Sequence, residues 1–124
     1  MIDHRPHLLP KVRSDLIMSS MRHYPCTLRI ASFIPGHQCA HQSTVVGVHL
    51  PVLGKGMSTK GTDLAVVAGC KHCHDLVDGV DKRIHWLAEN YPAAYHMRLL
   101  QALVETQAML TRDNVLDVLD GELI

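Results

Sequence analysis

Two stretches of the chain have the side-chain patterns of β-strands. Residues 26–34 alternate between apolar and polar or small side chains, and residues 44–50 are rich in β-branched side chains and end just before Pro51. Pro35 and Gly36 between the two stretches mark a turn. The sequence therefore predicts a small β-hairpin region.

Apolar residues at helical spacing surround this region. Ser14 is the predicted N-cap of a short first helix, and a second helix is predicted to begin at His74, with an interruption or kink near Gly79. A longer helix with an apolar stripe is predicted after Pro92, and a last short helix at residues 115–119. Its stripe comprises Leu99, Leu100, Leu103 and Val104. Together these elements predict an α+β fold.

The length of 124 residues suits one domain with a modest core. Residues 1–12 contain two prolines and scattered charges, so we expect a flexible N-terminal arm followed by a single domain at residues 13–124. No apolar segment resembles a signal peptide or a membrane span, and we therefore expect a cytoplasmic protein.

Charge and composition point away from broad electrostatic binding and toward metal chemistry. Twelve Lys and Arg residues are balanced by twelve Asp and Glu residues, whereas nucleic-acid-binding domains are usually basic. Ten histidines, several of them near cysteines, are typical of metal sites. Thiols stay reduced in the cytoplasm, where grouped cysteines more often bind metal than form disulfides.

A structural zinc site is the first prediction from this composition. The four cysteines are Cys26, Cys39, Cys70 and Cys73. The two-residue spacing of the last pair places both thiolates on one ion, and the first pair completes a tetrahedron if a strand and a turn bring the two together. His37 or His41, which flank Cys39, could replace a thiolate, and Cys26 and Cys39 could instead be ordinary buried thiols.

A second, open metal site is predicted at His74 and Asp78. These residues are four positions apart, so in a helix their side chains share one face. Imidazole and carboxylate together accept Mg, Mn, Ni or Zn, and two protein ligands leave positions for substrate oxygens. The same pair could also be a solvated helix surface.

His49, at the end of the second predicted strand, is a candidate general base. Its side chain titrates near neutral pH, so a neutral ring could accept a proton from water that attacks a phosphodiester. Asp63 could hydrogen-bond to this ring and orient it. Taken alone, a histidine at a strand end is more often a surface or core residue.

The order of these residues resembles that of HNH endonucleases. The shared pattern is a strand ending in histidine at His49, an acidic residue before leucine at Asp63, and C-x2-C-His with a further ligand at residues 70–78. More narrowly, residues 25–83 look like a phage and prophage family of small nucleases, related to a recombination-enhancement nuclease of a temperate phage. Its shared features include the PC pair at residues 25–26, the TKG-x-D loop at residues 59–63 and the CHD sequence at residues 73–75.

This resemblance implies a ββα-metal (HNH, His-Me finger) core with a four-cysteine zinc knuckle and flanking helices. It makes His49 the general base, gives Asp63 the place of the family's middle Asn, and makes His74 and Asp78 ligands of a catalytic Mg, Mn or Zn ion. Two positions depart from the family pattern. Val48 stands where many members have an additional ligand, and Asp78 stands where His or Asn is usual.

DNA is the expected substrate, and several polar residues are candidates to contact its phosphates. They are Lys55, Thr59, Lys60, Lys71 and Arg83. The segment at residues 54–61 could equally be an ordinary flexible loop, and the other charges could simply be solvated. Because the net charge is zero, a recombination protein or another protein that presents DNA is a plausible partner.

The sequence thus predicts a metal-dependent DNA endonuclease in phage DNA recombination or processing, acting in the cytoplasm of a bacterial host. The alternative is a non-catalytic zinc-ribbon module that binds nucleic acid or a protein, which needs the cysteines but not His49. A third hypothesis is a structural zinc protein whose C-terminal helices dock a partner.

Overall fold

The computed structural model describes residues 10–52 and 61–124. Within these ranges the chain forms four α-helices and a two-stranded antiparallel sheet, which confirms the predicted α+β class. In chain order the elements are α1 (Asp15–Ser20), β1 (Val46–His49), β2 (Val66–Gly69), α2 (Lys71–Val77), α3 (Ile84–Asn90) and α4 (Pro92–Arg112).

The strand predicted at residues 44–50 is confirmed as β1, with narrower bounds, but its partner is not the predicted one. β1 pairs with β2, with Val46 opposite Gly69 and His49 opposite Val66. Cys70, which follows Gly69 directly, therefore lies at the end of the ladder that is three residue pairs, or about 10 Å, from His49.

The strand predicted at residues 26–34 is wrong. This stretch is extended only in part, takes a left-handed conformation at Arg29 (φ 49°) and closes in a 3-10 turn at Ala31–Phe33. Its backbone N–H groups at residues 29 and 31 are directed at cysteine sulfurs, 3.5 Å away in each case, and not at a neighbouring strand. The Thr27 N–H donates to the Ala68 carbonyl of β2 at 2.8 Å, so the stretch contacts the sheet without joining it as a strand.

The predicted first helix is confirmed as α1, and its N-cap is Ser14, whose side chain accepts a hydrogen bond from the Ile17 N–H. The second helix begins earlier than predicted, because Cys70 is already the N-cap of α2. Gly79, with φ of 77°, lies just beyond its end, where a left-handed residue commonly stops a helix.

The helix predicted after Pro92 is confirmed as α4, which extends over 21 residues with the proline in its first turn. The short helix predicted at residues 115–119 is wrong, since the chain leaves α4 through a left-handed Asn114 and continues in turns. None of the described helices is both long and apolar enough to cross a membrane.

The core lies where β2 meets α4 and the segment before β1. Gly69 permits this close approach, because a Cβ atom there would lie 2.7 Å from Leu28 Cδ1 and 2.8 Å from Val48 Cγ2. Two buried threonines join the three elements: the Thr27 hydroxyl donates to the Ala68 carbonyl at 2.8 Å, and Thr106 Oγ1 of α4 accepts from the Ala68 N–H at 3.4 Å. The core thereby fixes the residues around Cys26 against the start of α2.

We expect the Thr106→Val variant to lower the free energy of unfolding by about 1–2 kcal/mol, because it leaves the buried Ala68 N–H without its acceptor. Urea denaturation of the zinc-loaded protein measures this. Thr111→Val is the matched control, since the Thr111 hydroxyl bonds to the Gln107 carbonyl within the same helix, and a cost as large as that of Thr106→Val would contradict the assignment.

Candidate functional site

The four predicted zinc ligands come together in one cluster. The sulfur atoms of Cys26, Cys39, Cys70 and Cys73 all lie within 4.8 Å of one another. Four sulfurs bound at 2.3 Å to a tetrahedral ion are about 3.8 Å apart, and the Cys39 and Cys73 sulfurs are separated by 3.8 Å. The cluster could therefore hold a structural metal ion such as zinc.

Local geometry presents the sulfurs to one another. Cys70 and Cys73 stand at the N-cap and in the first turn of α2, while Cys26 and Cys39 flank the 3-10 turn before β1. Backbone N–H groups of Arg29, Ala31 and Ala40 point at the sulfurs of Cys26, Cys73 and Cys70, at 3.5, 3.5 and 3.3 Å. Such donors stabilise thiolate ligands and fix their directions.

The thiols of the cluster differ in the direction in which their pKa values shift. Hydrogen bonds from Cys26 and then Cys73 lower the pKa of the Cys70 thiol. Hydrogen bonds with Cys26 and Cys70 raise the pKa of the Cys73 thiol. Burial raises the pKa of the Cys39 thiol to about 12. A divalent ion that binds Cys39 and Cys73 as thiolates must therefore displace protons from them.

Neither histidine that the sequence offered as an alternative ligand belongs to this cluster. His41 Nδ1 instead contacts the Ser43 hydroxyl at 2.9 Å and accepts from the Ser43 N–H, and the His37 ring stacks on His72 with ring centroids 4.8 Å apart. His72 Nδ1 lies 2.8 Å from the Gln38 carbonyl oxygen, a contact that ties α2 to the residue before Cys39. The sequence did not predict this contact between His72 and Gln38.

His49 and Asp63 form the second group. His49 ends β1, and its Nε2 lies 2.8 Å from Asp63 Oδ1, while Gly61 packs beside the ring. The other carboxylate oxygen accepts the Ser14 N–H at 2.6 Å. Asp63 is 5% exposed. Ser14, just before α1, and His49, the last residue of β1, therefore contact the same buried carboxylate.

The surroundings of Asp63 keep it ionised. Burial alone raises the pKa of a carboxyl group, but the Ser14 N–H and the His49 ring together outweigh burial and lower the Asp63 pKa below 3.8. The sequence predicted the hydrogen bond between Asp63 and His49 but not the one from the Ser14 N–H. Ser14 was predicted only as the N-cap of α1.

Further hydrogen bonds join the same two chain segments. The Asp63 N–H donates to the Val12 carbonyl at 2.8 Å, the Val12 N–H donates to Thr62 Oγ1, and the Arg13 guanidinium donates to the Gly61 carbonyl. Residues 1–9 of the expected N-terminal arm lie outside the described residues. Val12, at the end of that arm, is anchored to the segment that carries Asp63.

His74 of α2 and Asp78, the C-cap of this helix, lie side by side, with His74 Nε2 2.8 Å from Asp78 Oδ2 and each side chain about one-third exposed. In the described parts of the chain, the four cysteines are the one group of three or more potential ligand residues close enough to share an ion. The described structure therefore does not gather His49 or Asp63 with His74 and Asp78 into a preformed metal site.

The candidate phosphate contacts are only partly described. Lys55, Thr59 and Lys60 lie outside the described residues. Lys71 is exposed and pairs with Asp75 at 3.1 Å, and Arg83 pairs with Asp81 at 2.7 Å. Lys71 and Arg83, the two candidate phosphate contacts that the structure describes, therefore each already pair with a carboxylate.

Comparisons of the chain with protein-family models, with curated proteins and with solved structures found no match. The resemblance to HNH endonucleases thus remains a prediction from the sequence.

Cys39→Ala should abolish tight zinc binding, because three thiolates no longer close the tetrahedron, and should lower the melting temperature of the protein. His37→Ala and His41→Ala, the matched controls, should retain one zinc per chain. Metal analysis after mild chelation measures the content, and cobalt substitution tests for sulfur-to-metal charge-transfer bands. Loss of zinc in the His37 or His41 variant would show that the ligand set is not the four cysteines.

Asp63→Asn should lower the free energy of unfolding at pH 7 by about 1–3 kcal/mol, because the charged acceptor of two hydrogen bonds is lost. The folded-state pKa of Asp63 is depressed, so its stabilisation is fully present above pH 3.8 and is lost as the pH falls through the lower folded-state value. The difference between variant and wild type should therefore shrink in acid.

Denaturation curves at a series of pH values measure this difference, with the exposed Asp117→Asn as the charge-matched control. A difference between the Asp63 variant and wild type that grows on acidification would contradict the assignment.

Proposed function

We propose that this chain is a metal-dependent DNA endonuclease of the HNH type that hydrolyses phosphodiester bonds in phage DNA recombination or processing. The observation that carries the proposal is the hydrogen bond between His49 and Asp63 at the end of β1. The next strand, β2, leads directly into α2, which carries His74 and Asp78. This succession of two strands and a helix is the order that the sequence resemblance implies.

His49 is the proposed general base. With the ring neutral, a proton on Nε2 is donated to Asp63, and the lone pair is on Nδ1. Nδ1 then accepts the proton of the attacking water, and the negative charge of Asp63 stabilises the imidazolium that results. Because Asp63 is itself held by the Ser14 N–H, the ring keeps one orientation while it exchanges protons.

His74 and Asp78 are the proposed ligands of the catalytic ion. Their donor atoms are adjacent and partly exposed, which fits an ion that keeps most of its coordination positions for water and phosphate. A bound divalent cation would supply charge stabilisation for the phosphate and the leaving 3′ oxygen. At 1.5 Å per residue these side chains lie about 6 and 12 Å along α2 from Cys70, so the cysteine cluster fixes the start of the helix that presents them.

Binding of DNA rests on few positive charges. Lys71 and Arg83 each pair with a carboxylate, and the net charge is zero. Weak unaided binding follows, and a recombination protein or another DNA-presenting partner would raise the local concentration of substrate.

His49→Ala should slow the cleavage of plasmid DNA by about 100- to 10,000-fold in the presence of Mg²⁺ or Mn²⁺, because the proton acceptor is lost. Conversion of supercoiled plasmid to nicked circles measures the rate. The exposed His23→Ala is the matched control and should cleave as wild type does. Equal cleavage by the His49 variant and wild type, with zinc content unchanged, would overturn the proposal.

A second candidate function is a non-catalytic zinc-ribbon module that binds a protein or nucleic acid. The cluster of four cysteines supports it, since a closed thiolate site offers a metal no position for substrate. This module needs the cysteines and not His49. Absence of cleavage by wild type with any of these metals, together with zinc-dependent binding to a partner, would favour it.

A further inference from the structure

Cys39 differs from the other three sulfurs of the cysteine cluster in the hydrogen bonds that it receives. Backbone N–H groups point at the sulfurs of Cys26, Cys70 and Cys73. In the parts of the chain that the structure describes, no backbone N–H points at the Cys39 sulfur, which lies 3.8 Å from the Cys73 sulfur. Cys39 is therefore the thiolate ligand that the backbone stabilises least.

Solvent reaches Cys39 but not Cys73. Cys26 and Cys39 are half-buried, whereas Cys70 and Cys73 are each 0% exposed. A small oxidant in water therefore meets Cys26 or Cys39 first. An N–H donor stabilises the thiolate that accepts its hydrogen bond and lowers the nucleophilicity of that sulfur. Because Cys26 accepts such a bond from Arg29, exposure and nucleophilicity coincide at Cys39.

Cys73 is placed to react with an oxidised Cys39. Their sulfurs are 3.8 Å apart, and a disulfide bond requires about 2 Å, so a small movement joins them. The contact of 2.8 Å between His72 Nδ1 and the Gln38 carbonyl oxygen holds the residue before Cys39 next to α2. A thiolate this close intercepts a sulfenic acid before further oxidation makes the change irreversible.

We propose that the cysteine cluster is a redox switch that hydrogen peroxide opens at Cys39. The proposal requires zinc at the cluster and does not depend on nuclease activity. The zinc-bound Cys39 thiolate attacks peroxide, so that an S–O bond forms, the O–O bond breaks and hydroxide leaves. The Cys73 thiolate then attacks the Cys39 sulfur, the S–S bond forms and a second hydroxide leaves. Two thiolates thus supply the two electrons that reduce peroxide, and two protons convert the hydroxides to water.

Formation of this disulfide removes two of the four zinc ligands. The remaining thiolates of Cys26 and Cys70 do not close a tetrahedron, so zinc leaves. The segment before β1 then loses the metal that fixed it to the first turn of α2, and the fold becomes less stable. A thiol reductant cleaves the disulfide and restores the site for zinc, which makes the change reversible.

Titration of the zinc-loaded full chain with hydrogen peroxide tests the proposal. A chromogenic chelator should record about one zinc ion released for each peroxide consumed, because one disulfide uses two electrons. Mass spectrometry of proteolytic peptides should find Cys39 linked to Cys73 as the first disulfide. Iodoacetamide, applied to the zinc-loaded chain without peroxide, should alkylate Cys39 before the other cysteines. Reduction by a thiol should restore the zinc content.

Two variants with the same ligand types separate Cys39 from a general sensitivity of the cluster. Cys39→His and Cys26→His each leave three thiolates and one imidazole, a set that binds zinc. Cys39→His should slow the release of zinc by peroxide by about 10-fold or more, because the reactive sulfur is gone. Cys26→His is the matched control and should release zinc about as fast as wild type.

A first disulfide between any other pair would overturn the proposal, as would equal slowing by the two histidine variants. Zinc retained by wild type at several equivalents of peroxide, or zinc that does not return after reduction, would also contradict it. Zinc content and circular dichroism before oxidation establish that each variant is loaded and folded. The order of alkylation in wild type decides the role of Cys39 even if a variant fails to bind zinc.

Discussion

Four sulfur atoms join the segment before β1 to the first turn of α2, and most of the remaining architecture depends on this junction. The two strands have only four residues each, and an isolated hairpin of that length is marginally stable in water. Residues 26–34, predicted as a strand, supply Cys26 and two backbone N–H groups that point at the sulfurs. The neighbouring sulfurs and burial raise the pKa values of Cys73 and Cys39, so a metal ion bound at this point would stabilise the fold by compensating the charge of the thiolates.

Asp63 is a second junction, built from a single buried carboxylate. It connects the N-terminus of α1 to the end of β1 through the Ser14 N–H and the His49 ring. A carboxylate in this position is costly to bury, and its two hydrogen bonds offset that cost. The consequence is a histidine held in one orientation, which is the property that a general base requires and that a freely rotating surface histidine lacks.

The distribution of charge separates two kinds of surface on this small protein. Lys71 of α2 and Arg83, just before α3, each pair with a neighbouring aspartate. On α4, Arg98 and Glu105 pair with each other, and Met97, Leu100 and Val104 are each more than half exposed. Neither feature provides the basic face that usually attracts nucleic acid over long range.

The sequence by itself determined the elements that depend on neighbouring residues. β-branched side chains at residues 44–50 specified β1, the N-cap at Ser14 specified α1, and Pro92 specified the start of α4. The spacing of Cys70 and Cys73 likewise identified two of the sulfurs that meet, and Cys26 and Cys39 were the candidates for the other two. Tertiary structure decided what lies far apart in the chain: β1 pairs with residues 66–69 and not with residues 26–34, and Ser14 bonds to a carboxylate 49 positions away. Strand pairing and buried hydrogen bonds depend on which surfaces meet in the folded chain, and local propensity carries no information about that.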